Sequence, residues 1–221
     1  MRKYVIKFTK EGYIKYTSHL DMLRLFKRAF KKCGIAMAYS QGFNPHPKMG
    51  FAQPLSLGYT SRCELLEFET TADYAPQEIA EKLQAAMAEG VEILSCDYDR
   101  SNAKSLAAAT EAAEYLVKFP LVCNRAKYEQ VLAEYLAQEE IFAEKRQKKT
   151  KKMVTVDIRP KIRSVKLAED ENLTLSMVLD CGSASNLSPE QVIASFVKFA
   201  GLDVPRYEIE VVRKEIIFGI K

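Results

Sequence analysis

The sequence predicts an α+β protein made of two tandem ferredoxin-like (βαββαβ) units with antiparallel sheets. In the first half, strand and helix periodicities follow one another in the order β-α-β-β-α-β, which is that of the ferredoxin-like split unit. The same order returns in the second half, after a short Ala-rich stretch. The 221 residues are 48% hydrophobic and 28% charged, which suits one large or two small globular domains.

Hydrophobic periodicity and capping residues place the elements of the first half. Residues 3–9 alternate as a strand, and Ser18 is a predicted N-cap with Asp21 in a capping-box position. The helix that follows ends at Gly34, a typical residue beyond a helix C-terminus. The further predictions are strands at 35–40, 63–70 and 91–98 and a helix at 76–89.

The domain division follows the change in composition at residue 100. We predict a unit at 1–99, a linker at 100–112, and a second unit at 113–221 with a basic insertion near 145–152. The predicted strands of the second unit are 114–120, 140–145 continued by 153–158, 173–179 and 206–217, and its helices are 125–137 and 188–200.

Cysteine usage, hydropathy and charge limit the classes of function. The five cysteines are scattered without a CxxC or a Cys/His cluster, so we expect reduced thiols and no cofactor in this chain. No apolar run approaches the roughly 20 residues that span a membrane, and no signal-peptide pattern is present, so we expect a cytoplasmic protein. The net charge is only +4, so the position of the basic residues matters more than their sum.

Both histidines of the chain fall in unusual segments, 18–21 and 40–47. His19 lies just inside a helix N-terminus, where the dipole favours anions and disfavours an imidazolium. His46 is flanked by two prolines that restrict its backbone. The catalytic candidates are therefore His19, His46 and Asp21, for proton transfer or phosphate binding. Alternatively, both histidines are structural. One aspartate and two histidines are too few to predict a metal site.

Three further segments are candidates for binding RNA or another anion. The loop after residue 40 offers a backbone nest and an aromatic ring that either stacks on a base or fills the core, with the candidates Gln41, Phe43 and Asn44. The first helix carries a basic stripe at i, i+3 and i+4 spacing, with the candidates Arg24 and Arg28. The third segment is a basic tract, mobile or at the tip of a hairpin, with the candidates Lys145, Arg146, Lys148, Lys149, Lys151 and Lys152. Solvated surface is the alternative for both basic segments.

The motifs of the first half resemble a known family. Four segments are similar to the bacterial radical-SAM-linked protein family of unknown function: Phe8-x-Lys10-x-Gly12-x-x-x-Tyr16-x-Ser18-His19-Leu20-Asp21-Met22-x-Arg24, Arg28-Ala29, Tyr39-Ser40-Gln41-Gly42-Phe43-Asn44-Pro45-His46-Pro47 and Pro54-Leu55-x-Leu57-Gly58. The resemblance extends over nearly the whole chain, more loosely in the second half. It implies a radical SAM partner that holds the iron–sulfur cluster and S-adenosylmethionine, since this chain has no CxxxCxxC motif.

Members of the family are often encoded near ribosome-related and RNA-processing genes, which implies an RNA partner such as tRNA or rRNA. The leading hypothesis is an RNA-binding accessory protein of a radical SAM enzyme. The alternatives are an RNA-processing or RNA-modifying enzyme that uses His19 and His46 as acid and base, and a scaffold that binds the radical SAM partner. The sequence favours a role in binding over catalysis by the isolated chain.

Overall fold

A computed structural model describes residues 1–99, 105–147 and 151–219 of the chain. The α+β class is confirmed, because few helices accompany strands whose described pairings are antiparallel. The chain divides into two compact units. Unit 1 comprises Met1–Thr110 and the chain from Phe218, and unit 2 comprises Glu111–Ile217.

The described part of unit 1 contains four strands, two longer helices and two short helices. In chain order its main elements are β1 (Arg2–Lys10), α1 (His19–Lys32), β2 (Met49–Phe51), β3 (Thr60–Thr70), α2 (Pro76–Gln84), β4 (Ile93–Tyr98) and α3 (Leu106–Ala109). A 3₁₀ helix, Gly12–Tyr16, connects β1 to α1. The strands lie in the order β4-β1-β3-β2, with every neighbour antiparallel.

The core of unit 1 is an aromatic layer between the sheet and α1. The alternate residues Tyr4, Ile6 and Phe8 of β1 are buried, as the period-two pattern requires. The ring of Phe8 meets Phe26 of α1 edge-on, with centroids 4.9 Å apart. One face of α1, with Met22, Phe26 and Phe30, is buried in this core. The opposite, charged face is therefore directed to solvent.

The described part of unit 2 contains five strands of its own besides β5, which starts at the unit's boundary. The elements are β5 (Thr110–Val122), α4 (Arg125–Leu136), β6 (Phe142–Arg146), β7 (Met153–Asp157), β8 (Ile162–Leu167), β9 (Asn172–Asp180), α5 (Pro189–Phe199) and β10 (Glu210–Phe218). Four strands form the order β10-β5-β9-β8, and β6 and β7 form a separate hairpin.

Residues 35–40 do not form the predicted strand. They make only isolated bridges, from Met37 to Thr70 and from Tyr39 to Pro47. The amide of Ala38 donates to Glu69 while its carbonyl accepts from Lys48, so its hydrogen bonds go to two segments instead of one ladder. The short strand β2 pairs with β3 instead.

The boundary between the two units, after Thr110, falls inside the predicted linker 100–112, and the predicted strand at 140–158 is corrected. Residues 100–104 lie outside the described chain, but 106–112 form α3 and the start of β5. Leu106 and Ala112 are buried, so this part of the chain is packed. Two antiparallel strands, β6 and β7, take the place of the predicted strand, and the basic tract begins in the last two residues of β6. Strand β8 was not predicted.

Candidate functional site

A cleft in unit 1 opens where α1 begins. It is shallow and open to solvent, and the centre of a water-sized sphere has only about 20 Å³ in it, which is room for about one water. Residues of β1, α1, β2, β3 and the segment after β2 line it: Phe8, Lys10, His19, Met22, Phe51, Gln53, Pro54, Leu55 and Glu64. Aromatic and aliphatic walls thus surround a few polar groups, which is the usual composition of a binding site.

Two of these polar groups are charged side chains that the fold buries. Lys10 is 3% exposed and Glu64 is 4% exposed. Lysine and glutamate are almost never fully buried unless they are paired. The Lys10 ammonium donates a hydrogen bond of 2.9 Å to the carbonyl of Thr17, just before α1. A register shift between Phe8 and Lys10 interrupts the pairing of β1 with β3 beside them.

His19 is the first residue of α1 and is half-buried in the cleft. Its ring meets that of Phe51 edge-on, with centroids 5.4 Å apart. Burial, and secondly the positive charge of Lys10, lower the pKa of His19 from its ordinary value of 6.5. The imidazole is therefore neutral at pH 7 and offers one donor and one acceptor nitrogen.

Asp21 forms hydrogen bonds at the N-terminus of α1. The hydroxyl of Ser18 accepts from the amide of Asp21 and donates to its carboxylate at 2.7 Å, which confirms Ser18 as the N-cap. Arg24 donates to the same carboxylate at 2.7 Å. The hydrogen bond from Ser18, followed by that from Arg24, lowers the pKa of Asp21. Neither Asp21 nor Arg24 lines the cleft.

The segment 40–47 forms an exposed loop closed at its base. The amide of Ser40 donates to the carbonyl of His46 at 2.8 Å, and the amide of His46 donates back to the Ser40 hydroxyl at 3.0 Å. The side chains at its tip point into solvent, and Phe43 is fully exposed, so it does not fill the core. Gln41, Asn44 and His46 are exposed as well.

The structure does not bring the two histidines together in the cleft. His19 lies against Phe51, which is paired with Leu66 at the end of β2 nearer the cleft. His46 precedes β2 at its other end, where Met49 is paired with Phe68. His46 is absent from the cleft lining.

The basic candidates lie on two separate surfaces. On α1 the exposed cations are Arg24, Lys27, Arg28, Lys31 and Lys32, which we call the α1 stripe. In unit 2, Lys145 and Arg146 end β6 and Lys151 and Lys152 precede β7, all exposed. The amide of Gln147 donates to the carbonyl of Lys152, which closes the hairpin. Lys148 and Lys149 lie outside the described residues.

The candidate site residues chosen from the sequence do not include Lys10, Gln53 or Glu64, although Lys10 lies in the first motif that resembles the family. A usable signal existed for two of them, because Lys10 continues the inward alternation of β1 and Glu64 that of Leu66 and Phe68. A charged residue at an inward strand position indicates either a buried pair or a site.

Within 1–99, 105–147 and 151–219, no three His, Cys, Asp or Glu side chains are grouped so that they could hold a metal ion. The helices in this part of the chain lack the length and hydropathy needed to cross a bilayer.

A family profile described as "Uncharacterized protein conserved in bacteria" (DUF2344) matches residues 3–189. No curated protein matches the chain. Three solved structures are similar to it over 96% of its length: a Cbf5-Nop10-Gar1 complex (13% identity, TM-score 0.49), an H/ACA RNP bound to a substrate RNA containing 2'-deoxyuridine (12%, 0.43) and the archaeal box H/ACA sRNP Nop10-Cbf5 complex (12%, 0.42). The chain spans about half of the matched chains, 48%, 47% and 47% respectively.

The lowered pKa of His19 predicts a measurable titration. In a His46→Gln variant, His19 is the only imidazole, and we expect its NMR titration midpoint to lie below 6.5. Because the unfolded chain then takes up the proton first, His19 favours the folded state above pH 6.5, and this contribution is lost as the pH falls through the folded pKa. We therefore expect the free energy of unfolding to fall less on acidification in a His19→Gln variant than in the unmodified chain. A midpoint at or above 6.5 contradicts the prediction.

Proposed function

We propose that this chain, which belongs to the DUF2344 family of uncharacterised conserved bacterial proteins, is an RNA-binding accessory protein of a radical SAM enzyme that modifies tRNA or rRNA. The observation that carries the proposal is the α1 stripe. Five cations occupy one exposed side of a single helix, while the other side is fixed in the core.

The geometry of the α1 stripe suits a phosphate backbone. Residues 24 to 32 extend about 12 Å along the helix axis. No acidic residue occurs between Asp21 and Asp73 except Glu64, Glu67 and Glu69 of β3, so α1 beyond Asp21 carries only positive charge. Among the described residues, the one ion pair made by the stripe is Asp21–Arg24. Four cations therefore remain available to replace the counterions of RNA.

The ferredoxin-like classification of the two units is part of the proposal. Its support is the strand order β4-β1-β3-β2 in unit 1 and the corresponding order β10-β5-β9-β8 in unit 2, with the hairpin β6–β7 inserted after α4. Such a fold hosts many functions, so the argument for RNA rests on charge and not on topology.

The radical SAM partner is proposed from the resemblance of the N-terminal motifs. The partner would hold the iron–sulfur cluster and S-adenosylmethionine, and this chain would deliver the RNA. Phe43 supports a docking role for the loop at 40–47, since a fully exposed aromatic ring on a closed loop is a typical interface anchor.

A second candidate function is RNA processing by the chain itself, with His19 as acid or base. The cleft favours it, because a neutral imidazole lies in a pocket that also contains buried Lys10 and Glu64. His46 lies outside this cleft, so the mechanism would depend on His19 alone.

Neutralising the α1 stripe should weaken RNA binding and its dependence on salt. The test variant replaces four stripe cations by glutamine: Lys27→Gln, Arg28→Gln, Lys31→Gln and Lys32→Gln. We expect at least about a tenfold loss of affinity for tRNA or rRNA fragments at about 0.1 M salt, and the salt slope should fall by about 0.7 to 0.9 for each lost phosphate contact. Filter-binding titrations at several salt concentrations measure both.

A matched control removes the same charge from dispersed sites. It carries four substitutions at exposed lysines: Lys7→Gln, Lys127→Gln, Lys166→Gln and Lys214→Gln. Both variants lower the formal net charge from +4 by four, to zero. Equal losses in the two variants, or no salt-dependent binding by the unmodified chain, would contradict the proposal.

The partnership is tested by co-expression with a radical SAM protein encoded beside this chain. We expect the two to co-purify, and Phe43→Ser to reduce recovery at least about fivefold while exposed Tyr207→Ser does not. RNase treatment separates a direct contact from an RNA bridge. Failure to co-purify with or without RNA would remove the radical SAM part of the proposal.

The second candidate predicts RNA turnover by the purified chain without added metal. Turnover should be lost at least about a hundredfold in His19→Gln and kept in His46→Gln, because general acid–base catalysis contributes about 10²–10⁴ in rate. Cleavage of end-labelled RNA measures this. Full activity in the His19→Gln variant eliminates the candidate.

A further inference from the structure

The 3₁₀ helix Gly12–Tyr16 presents two aromatic rings to solvent. Tyr13 is 93% exposed and Tyr16 is 61% exposed. Side chains three residues apart eclipse one another on a 3₁₀ helix and are separated by about 6 Å along its axis. The Lys15 ammonium lies 5.3 Å from the centre of the Tyr16 ring. Two rings and a cation therefore share one short element.

The fold holds this exposed element firmly at both ends. At its start, the amide of Glu11 donates to the carbonyl of Gly90 at 2.9 Å. Gly90 has a φ of +87°, and a Cβ there would lie 2.4 Å from the Glu11 oxygen, so the approach requires glycine. At its end, buried Lys10 donates to the carbonyl of Thr17. The tyrosines are thus presented by a preorganised backbone, which lowers the entropy cost of binding.

Along the chain, the α1 stripe follows the tyrosines closely. The first turn of α1 exposes Leu20, which is 62% exposed. Arg24, Lys27 and Lys31 follow Leu20 at spacings of four, seven and eleven residues, so all four lie on one side of the helix. Along the chain, an aromatic pair is followed by an apolar residue and then by cations.

We infer that Tyr13 and Tyr16 stack on unpaired bases of a single-stranded RNA segment whose phosphates follow the α1 stripe. The inference rests on the proposed RNA binding and defines the form of RNA that this surface takes. Aromatic rings beside a basic track are the general arrangement for single strands, because every base has a π-face. In a duplex the stacked base pairs cover those faces, so exposed tyrosines gain nothing from it.

The first test compares Tyr13→Ala/Tyr16→Ala with exposed Tyr207→Ala of unit 2 as the matched control. We expect the double variant to bind a single-stranded oligonucleotide at least about tenfold more weakly. Loss of one stacked base typically weakens binding by about 5- to 150-fold. Its salt slope should be unchanged, because no phosphate contact is removed. The control should bind as the unmodified chain does.

A second measurement uses the absence of tryptophan from the chain. Tyr16→Trp introduces a single fluorophore that retains the ability to stack, and Tyr207→Trp places it elsewhere. We expect a single strand to quench the indole emission of the Tyr16→Trp variant at saturation and to leave that of the Tyr207→Trp variant nearly unchanged. A duplex of the same length should quench neither.

Each outcome decides between named explanations. If the unmodified chain binds no RNA, the proposed function fails and the inference falls with it. If it binds RNA with a salt slope that depends on the α1 stripe, but the double alanine variant binds equally well, only the inference is overturned. If the double alanine variant no longer binds the radical SAM partner but binds RNA normally, the tyrosines contact a protein, and the inference is overturned as well. Retained binding by Tyr13→Phe/Tyr16→Phe, with the same thermal unfolding, separates stacking from a folding defect.

Discussion

The hydrogen bond from the Lys10 ammonium to the Thr17 carbonyl connects the features on which the N-terminal surface depends. Lys10 ends β1, and Thr17 lies between the 3₁₀ helix and the N-cap of α1. An unpaired buried ammonium would cost several kcal/mol, so the chain must supply partners for it. This bond holds the end of the 3₁₀ helix that presents Tyr13 to solvent, just before the N-cap of α1, whose first residue, His19, lies in the cleft.

The same ammonium sets the electrostatics of the cleft. Its positive charge adds to burial in lowering the pKa of His19, and the carboxylate of Glu64 lines the same space. A histidine at a helix N-terminus is already poor at holding a proton, because the dipole opposes a positive charge there. The local sequence therefore indicated a neutral imidazole, while the structure adds a distant residue of β1 as a further cause.

Helix α1 is a part of the fold that the nearby sequence predicts correctly. The cap at Ser18 and the apolar spacing of Met22, Phe26 and Phe30 define α1 without reference to the rest of the chain. The strand expected at 35–40 does not form, because the backbone of Ala38 bonds to Glu69 on one side and Lys48 on the other. These partners depend on how the sheet is assembled and not on the sequence of the segment. Alternation shows that a segment can be extended, but pairing decides whether it is a strand.

The candidate site was only partly predictable for the same reason. His19 and His46 are rare residues in unusual segments, which is why the sequence selects them. That rarity does not predict that they lie near opposite ends of β2, His19 against Phe51 and His46 before Met49. Lys10 and Glu64 are far apart in sequence, but both line the cleft because the antiparallel register of β1 and β3 places Phe8 opposite Glu64. The exposed stripe, by contrast, follows from one helix alone: once the aromatic face of α1 is buried, its remaining side must carry the cations to solvent. The positive charge of this surface therefore follows from the sequence of α1 alone, whereas the cleft exists only after β1 and β3 have paired.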